Sequence, residues 1–263
     1  MRRIAIAAWL FWVFTTFASA QEWARAQLEK SPRHHEWVQV KYGDRVVHAF
    51  VAYPEVKDKR AVVIIIHENQ GLTDWVQNLA DEVAAAGYIA VAPDLLSGMG
   101  PNGGRTKDFP EGGTAREAIY KLDANTVTAD LNAVADYARK LPAGNGKIAV
   151  GGFCWGGAQT FRYAASGADV AAAFVFYGTG PDDVSQVRAP VYGFYGGDDA
   201  RVNSTIPKSE EMMKAAGKKY EPVIYEGAGH GFMRQGAAPD ASDPNRKARE
   251  QAWQRWKELL SKL

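Results

Sequence analysis

Hydrophobic and polar residues alternate over Trp37-Val38-Gln39-Val40-Lys41 and again from Arg45 to Val51, with Gly43-Asp44 between the two runs, which predicts a β-hairpin. Ala61 to Ile66 is an uninterrupted apolar run, as in a central parallel strand covered on both faces. From Thr73 to Ala86 the apolar positions Trp75, Val76, Leu79, Val83 and Ala84 fall at helical spacing. Gly87 ends that stretch, and Tyr88 to Ala92 follows as a strand, completing a βαβ unit. Ser97 to Gly113 is rich in glycine and proline without a period, so it reads as a long surface loop that borders or covers a site. One long helix is expected over Ala115 to Leu141, then a strand over Lys147 to Gly151. Further strands follow at Ala171 to Tyr177, Ala189 to Tyr195 and Pro222 to Tyr225, and an amphipathic helix over Asn245 to Leu263. Strands alternating with helices throughout predict an α/β fold with a mostly parallel sheet and helices on both faces.

The 263 residues suit one large core. Met1-Arg2-Arg3, an apolar stretch from Ile4 to Phe17, and Ala18-Ser19-Ala20 form a signal-peptide pattern with cleavage expected before Gln21. An uncleaved anchor is the alternative reading of those residues. The expected organisation is a leader over 1–20, an extension over 21–36 and one domain over 37–263, in a protein exported to the periplasm or secreted. Loss of the leader leaves 29 basic against 30 acidic side chains, a balance that excludes nucleic acid or an anionic membrane as the obvious partner. A monomer is expected.

Gly152-Phe153-Cys154-Trp155-Gly156 follows the strand before it as a nucleophile elbow, in which glycines flank an apex residue forced to φ > 0. Cys154 is the only cysteine. An isolated thiol in an oxidising compartment is exposed to oxidation, so its retention calls for a reason, either catalysis or simple burial. A thiol nucleophile needs a base and a group to orient that base. His230, among small residues just after the last predicted strand, is the candidate base. Asp198 and Asp199 follow the preceding strand, and Asp199 is preferred; the order Cys, Asp, His suits this kind of fold. Oxyanion donors are expected from the backbone N–H groups of Trp155 and Asn69. No group of His, Asp or Glu has metal-ligand spacing, and His67 either reaches the site or merely ends a strand.

Four motifs together resemble the dienelactone hydrolase family of α/β-hydrolases: His67-Glu68-Asn69-Gln70-Gly71, Gly152 to Gly157, Gly196 to Val202, and Gly229-His230-Gly231-Phe232. The resemblance spans about Trp37 to the C-terminus. It implies a Cys154-His230-Asp199 triad that cleaves small esters or lactones in two steps without a cofactor. The family's spacing of aspartate to valine selects Asp199 over Asp198. The resemblance further implies that Glu68 contacts the resting thiol until substrate enters, and that Arg234 binds a substrate carboxylate. A second arginine expected shortly after Pro93-Asp94-Leu95 is missing, with Arg105 and Arg116 as substitutes from the loop. Alternatives are a general carboxylesterase and a noncatalytic binding or redox-sensing thiol protein on the same fold.

Overall fold

A computed structural model describes residues 21–110 and 113–263, so the expected leader lies outside the described residues. The hairpin is formed by β1 (His35–Tyr42) and β2 (Arg45–Ala52), and β2 runs antiparallel to β4 (Ile89–Asp94). The remaining strands, β3 (Arg60–Ile66), β5 (Gly144–Phe153), β6 (Ala172–Phe176), β7 (Val191–Gly196) and β8 (Tyr220–Tyr225), are parallel to β4. The sheet order is β1-β2-β4-β3-β5-β6-β7-β8. The chain leaves β3 toward one side to make β4, then crosses back to lay β5 on the other, so the strand order reverses at β3. In open α/β sheets such a reversal opens a crevice beyond the carboxyl ends of the strands.

Strand pleating divides the apolar run of β3 between two cores. Val62, Ile64 and Ile66 face α4 (Ala124–Arg139) and α5 (Trp155–Ala165), whereas Val63 and Ile65 face α2 (Asp74–Ala85) and α9 (Asp243–Leu260). Both faces are therefore covered, as the uninterrupted run requires. No helix among the described residues is long and apolar enough to cross a membrane.

The single long helix expected over 115–141 is two, α3 (Thr114–Tyr120) and α4. Asp123 breaks it. Its backbone is extended and its carboxylate accepts from the N–H groups of Asn125 and Thr126, both at 3.0 Å, an N-cap that competes with continued helix. The 97–113 loop contains two short turns, at 101–103 and 106–108, and is tied down by Thr106. That hydroxyl donates to the buried Asp94 at 2.6 Å and accepts from the Leu72 N–H at 3.0 Å.

The N-terminal extension is docked against the domain. Its helix α1 (Glu22–Leu28) packs on α2, and Ser31, Arg33 and His35 all converge on the buried Asp81, with contacts of 2.6 to 2.7 Å. These partners outweigh the effect of burial and hold the Asp81 carboxyl below its ordinary range. Asp81→Ala strands the Arg33 guanidinium, so a loss of about 2 kcal/mol is expected. The unfolding temperature should fall by about 5 °C, which a thermal melt would show.

Candidate active site

Cys154 sits between β5 and α5 at φ 57°, ψ −115°, with its N–H donating to the Phe176 carbonyl at 3.0 Å. Such a conformation is costly for a residue with a side chain and persists only where the surroundings over-determine it. Glycines do so here. A Cβ on Gly152 would run into the Gly156 carbonyl and the Thr160 hydroxyl, and one on Gly156 into the carbonyl oxygens of Ile66 and His67. The missing side chains let β3, β5 and α5 approach closely enough to hold the thiol at the crevice.

His230 follows β8, and its Nδ1 lies 2.5 Å from Oδ2 of Asp199, the residue capping the short helix α6 (Ala200–Asn203). The other Asp199 oxygen accepts from the Val202 N–H at 3.3 Å, fixing the carboxylate on both sides. Asp199, not Asp198, is thus the aspartate brought to the histidine. The Cys154 thiol beside the same imidazole is the main cause of its pKa rising to about 9; burial opposes this, and the Asp199 bond adds to it. Since 9 lies above the ordinary value of 6.5, the stability from protonated His230 is complete below about pH 6.5 and is lost as pH rises through about 9. Between these pH values the unfolding temperature should fall further in the unmodified protein than in His230→Gln, as paired thermal melts would show.

His67 ends β3 and is fully buried, so it does not enter the site. Burial lowers its pKa, and its Nε2 accepts from the Leu95 N–H at 3.2 Å. Its Nδ1–H therefore donates to the Glu68 carbonyl, at 2.8 Å, while the ring stacks on Trp155 at 5.6 Å. The imidazole braces the loop carrying Glu68 and Asn69 against the start of α5. Among the described hydrogen bonds, the backbone N–H groups of Asn69 and Trp155 donate to no protein acceptor, as oxyanion donors require.

At Glu68 the structure shows partners other than the thiol. Its carboxylate accepts from Arg234 Nε at 2.7 Å and from the Tyr177 hydroxyl at 3.4 Å, and none of the described hydrogen bonds joins it to the thiol. Arg234 belongs to the short helix α8 (Phe232–Gln235). Burial works to lower its pKa, but Glu68 outweighs burial and the guanidinium stays charged. Opposite charges partly withdrawn from water attract each other strongly, so the carboxylate and the guanidinium pair. Tyr177, buried and at φ 41°, presents its ring edge-on to His230 at 5.1 Å.

A cleft of about 210 Å³ opens over Cys154, walled by Tyr120, Trp155, Tyr177, Thr179 and Arg201. Sequence reasoning missed Tyr120 and Arg201 as site residues. Arg201 was in view two positions after Asp199, whereas nothing in the spacing marked Tyr120, which α3 delivers and whose hydroxyl accepts from the Asn69 amide at 3.2 Å. Of the two substitute arginines, Arg105 lies 3.5 Å over the Trp37 ring in a separate cleft, and Arg116 stands 5.9 Å from the Tyr120 ring. No group of three or more metal-binding side chains occurs among the described residues.

A strained thiol at the switch point of such a sheet, with an Asp-paired histidine beside it, defines an α/β-hydrolase. Residues 47–263 match the sequence model of the dienelactone hydrolase family, and the chain belongs to that family of carboxylic ester hydrolases. It is 32% identical over 205 residues to a carboxymethylenebutenolidase of Pseudomonas putida, covering 73% of this chain and 83% of that one. A dienelactone hydrolase-like promiscuous phosphotriesterase from metagenomic libraries superposes with a TM-score of 0.74 at 22% identity, over 88% of this chain and 98% of the other. An esterase of Pyrobaculum calidifontis superposes with a TM-score of 0.65 at 16% identity, over 92% and 91%. Both structural likenesses speak to the fold.

Proposed function

We propose that the protein cleaves small carboxylic esters or lactones through a thioester on Cys154. The observation that carries the reading is the Asp199-paired His230 beside a thiol held in the strained elbow. In this mechanism the Cys154 thiolate attacks the carbonyl carbon, and the N–H groups of Asn69 and Trp155 receive the oxyanion. Histidinium 230 then gives its proton to the leaving oxygen as the carbon–oxygen bond breaks. Next, His230 takes a proton from water, whose oxygen attacks the thioester, and the thiol leaves with that proton restored. Asp199 orients the imidazole and stabilises its charged form. The name of the Pseudomonas putida relative favours lactones of the dienelactone type.

Arg234 then has two partners to choose between. It pairs with Glu68, and a substrate carboxylate would compete for the same guanidinium. The leader pattern supports action outside the cytoplasm.

Mixing the protein with nitrophenyl acetate and quenching early tests the central step. Intact mass should show one added acetyl group, and peptide mapping should place it on Cys154. Turnover without that adduct, with the Cys154→Ala variant equally active, would sink the proposal.

A further inference from the structure

One ion among the described residues lining the cleft over Cys154 has no counter-charge. Arg201 is part of that wall, none of the other lining residues is acidic, and its guanidinium finds no hydrogen-bond or ion-pair partner among the described residues. The side chain is exposed, but its backbone is held. Within α6 it stands between Asp199, which orients His230, and the buried Val202, whose N–H donates to that same aspartate at 3.3 Å. Asn203 fastens the far end of α6, donating to the Gly196 carbonyl at 2.8 Å. The segment that aligns the histidine therefore also delivers a cation to the cleft.

Arg234 is differently placed. Its Nε is already paired with a Glu68 oxygen at 2.7 Å, and it borders another recess rather than this cleft. To take a substrate carboxylate it must give up the one it holds, an exchange of like for like with little net gain. Arg201 gives up only water. The rings of Tyr120, Trp155 and Tyr177 wall the cleft and lower the local dielectric, which strengthens a charge pair formed inside it.

The covalent chemistry decides which part of the substrate meets that cation. Once the carbon–oxygen bond breaks, the alcohol is free to depart while the acyl group stays on Sγ, so the cleft that Cys154 lines holds the acyl portion. At about 210 Å³ it takes a small one. We infer that Arg201 is a specificity-determining residue that binds a carboxylate on the acyl portion, so that half-esters of short dicarboxylic acids are preferred over neutral esters. This rests on the reading of Cys154 as nucleophile.

Methanol release from monomethyl succinate and monomethyl glutarate tests this on the chain from Gln21 onward, each half-ester being compared with the neutral ester in which an isopropyl group replaces the carboxylate. For at least one pair, kcat/KM should favour the half-ester by about 10-fold or more. Arg201→Gln should lower that preference by about 10-fold, chiefly through KM. Arg201→Lys keeps the charge but not the planar fork and should retain part of the preference, and raising salt to about 1 M should erode it. The Arg201 side chain has no polar partner to lose, so both variants should fold. No preference for a half-ester would overturn the inference, as would a preference that survives Arg201→Gln, whether or not Arg234→Gln then removes it. Failure of the Cys154 reading is seen separately, as nitrophenyl acetate turnover that survives Cys154→Ala.

Discussion

Cys154→Ala should lower kcat/KM for nitrophenyl acetate by at least about 10⁴-fold, with a loss of stability limited to what the thiol contributes through protonated His230. Activity is lost because no other nucleophile stands at the elbow, and the oxyanion donors alone retain only a remnant of the rate. The packing is otherwise kept, because the strain at residue 154 is imposed by the backbone around it and the thiol is only half-buried. Asp199→Asn is the informative companion. It leaves the thiol but removes the charge that favours imidazolium, so a smaller loss, about 10³-fold, is expected. The pKa of His230 should fall below 9, as histidine NMR titration would show. Full activity in Cys154→Ala would mean that the chemistry lies elsewhere in the cleft.

The second large effect is on folding. In Gly156→Ala the new methyl group meets two backbone carbonyls, those of Ile66 and His67, which end the central strand and cannot swing aside. Relief requires α5 to move off β3, and a loss of about 3 kcal/mol or more is expected. The protein should melt at least about 8 °C lower or fail to accumulate in soluble form. Gly43→Ala is the control. Its φ is 49° but nothing lies within 4 Å of the added carbon, so only conformational strain of about 1 kcal/mol applies. Equal melting temperatures for the two variants would show that close packing at the elbow is not what holds the scaffold.

Most of the sheet was legible because its strands bury both faces and leave continuous apolar runs, such as Ala61 to Ile66. The elbow was legible because few other devices demand glycines on both sides of a cysteine. The break between α3 and α4 was less so. Asp123 sits within a convincing helical period, and the apolar pattern does not register a cap. Nor could the partner of Glu68 be read. Glu68 and Arg234 are 166 positions apart, and whether a carboxylate meets a thiol or a guanidinium depends on how two loops settle at the crevice. His67 was undecided for a similar reason: its role depends on an N–H from Leu95, at the end of another strand.

At the elbow, the position of the reactive atom is set by neighbours that never touch its side chain: a carbonyl on β6 and the carbonyls crowding Gly152 and Gly156. Geometry and reactivity are therefore separable at this point. A lineage carrying this scaffold can trade sulfur for oxygen with one substitution, keeping the socket and altering only what is plugged into it.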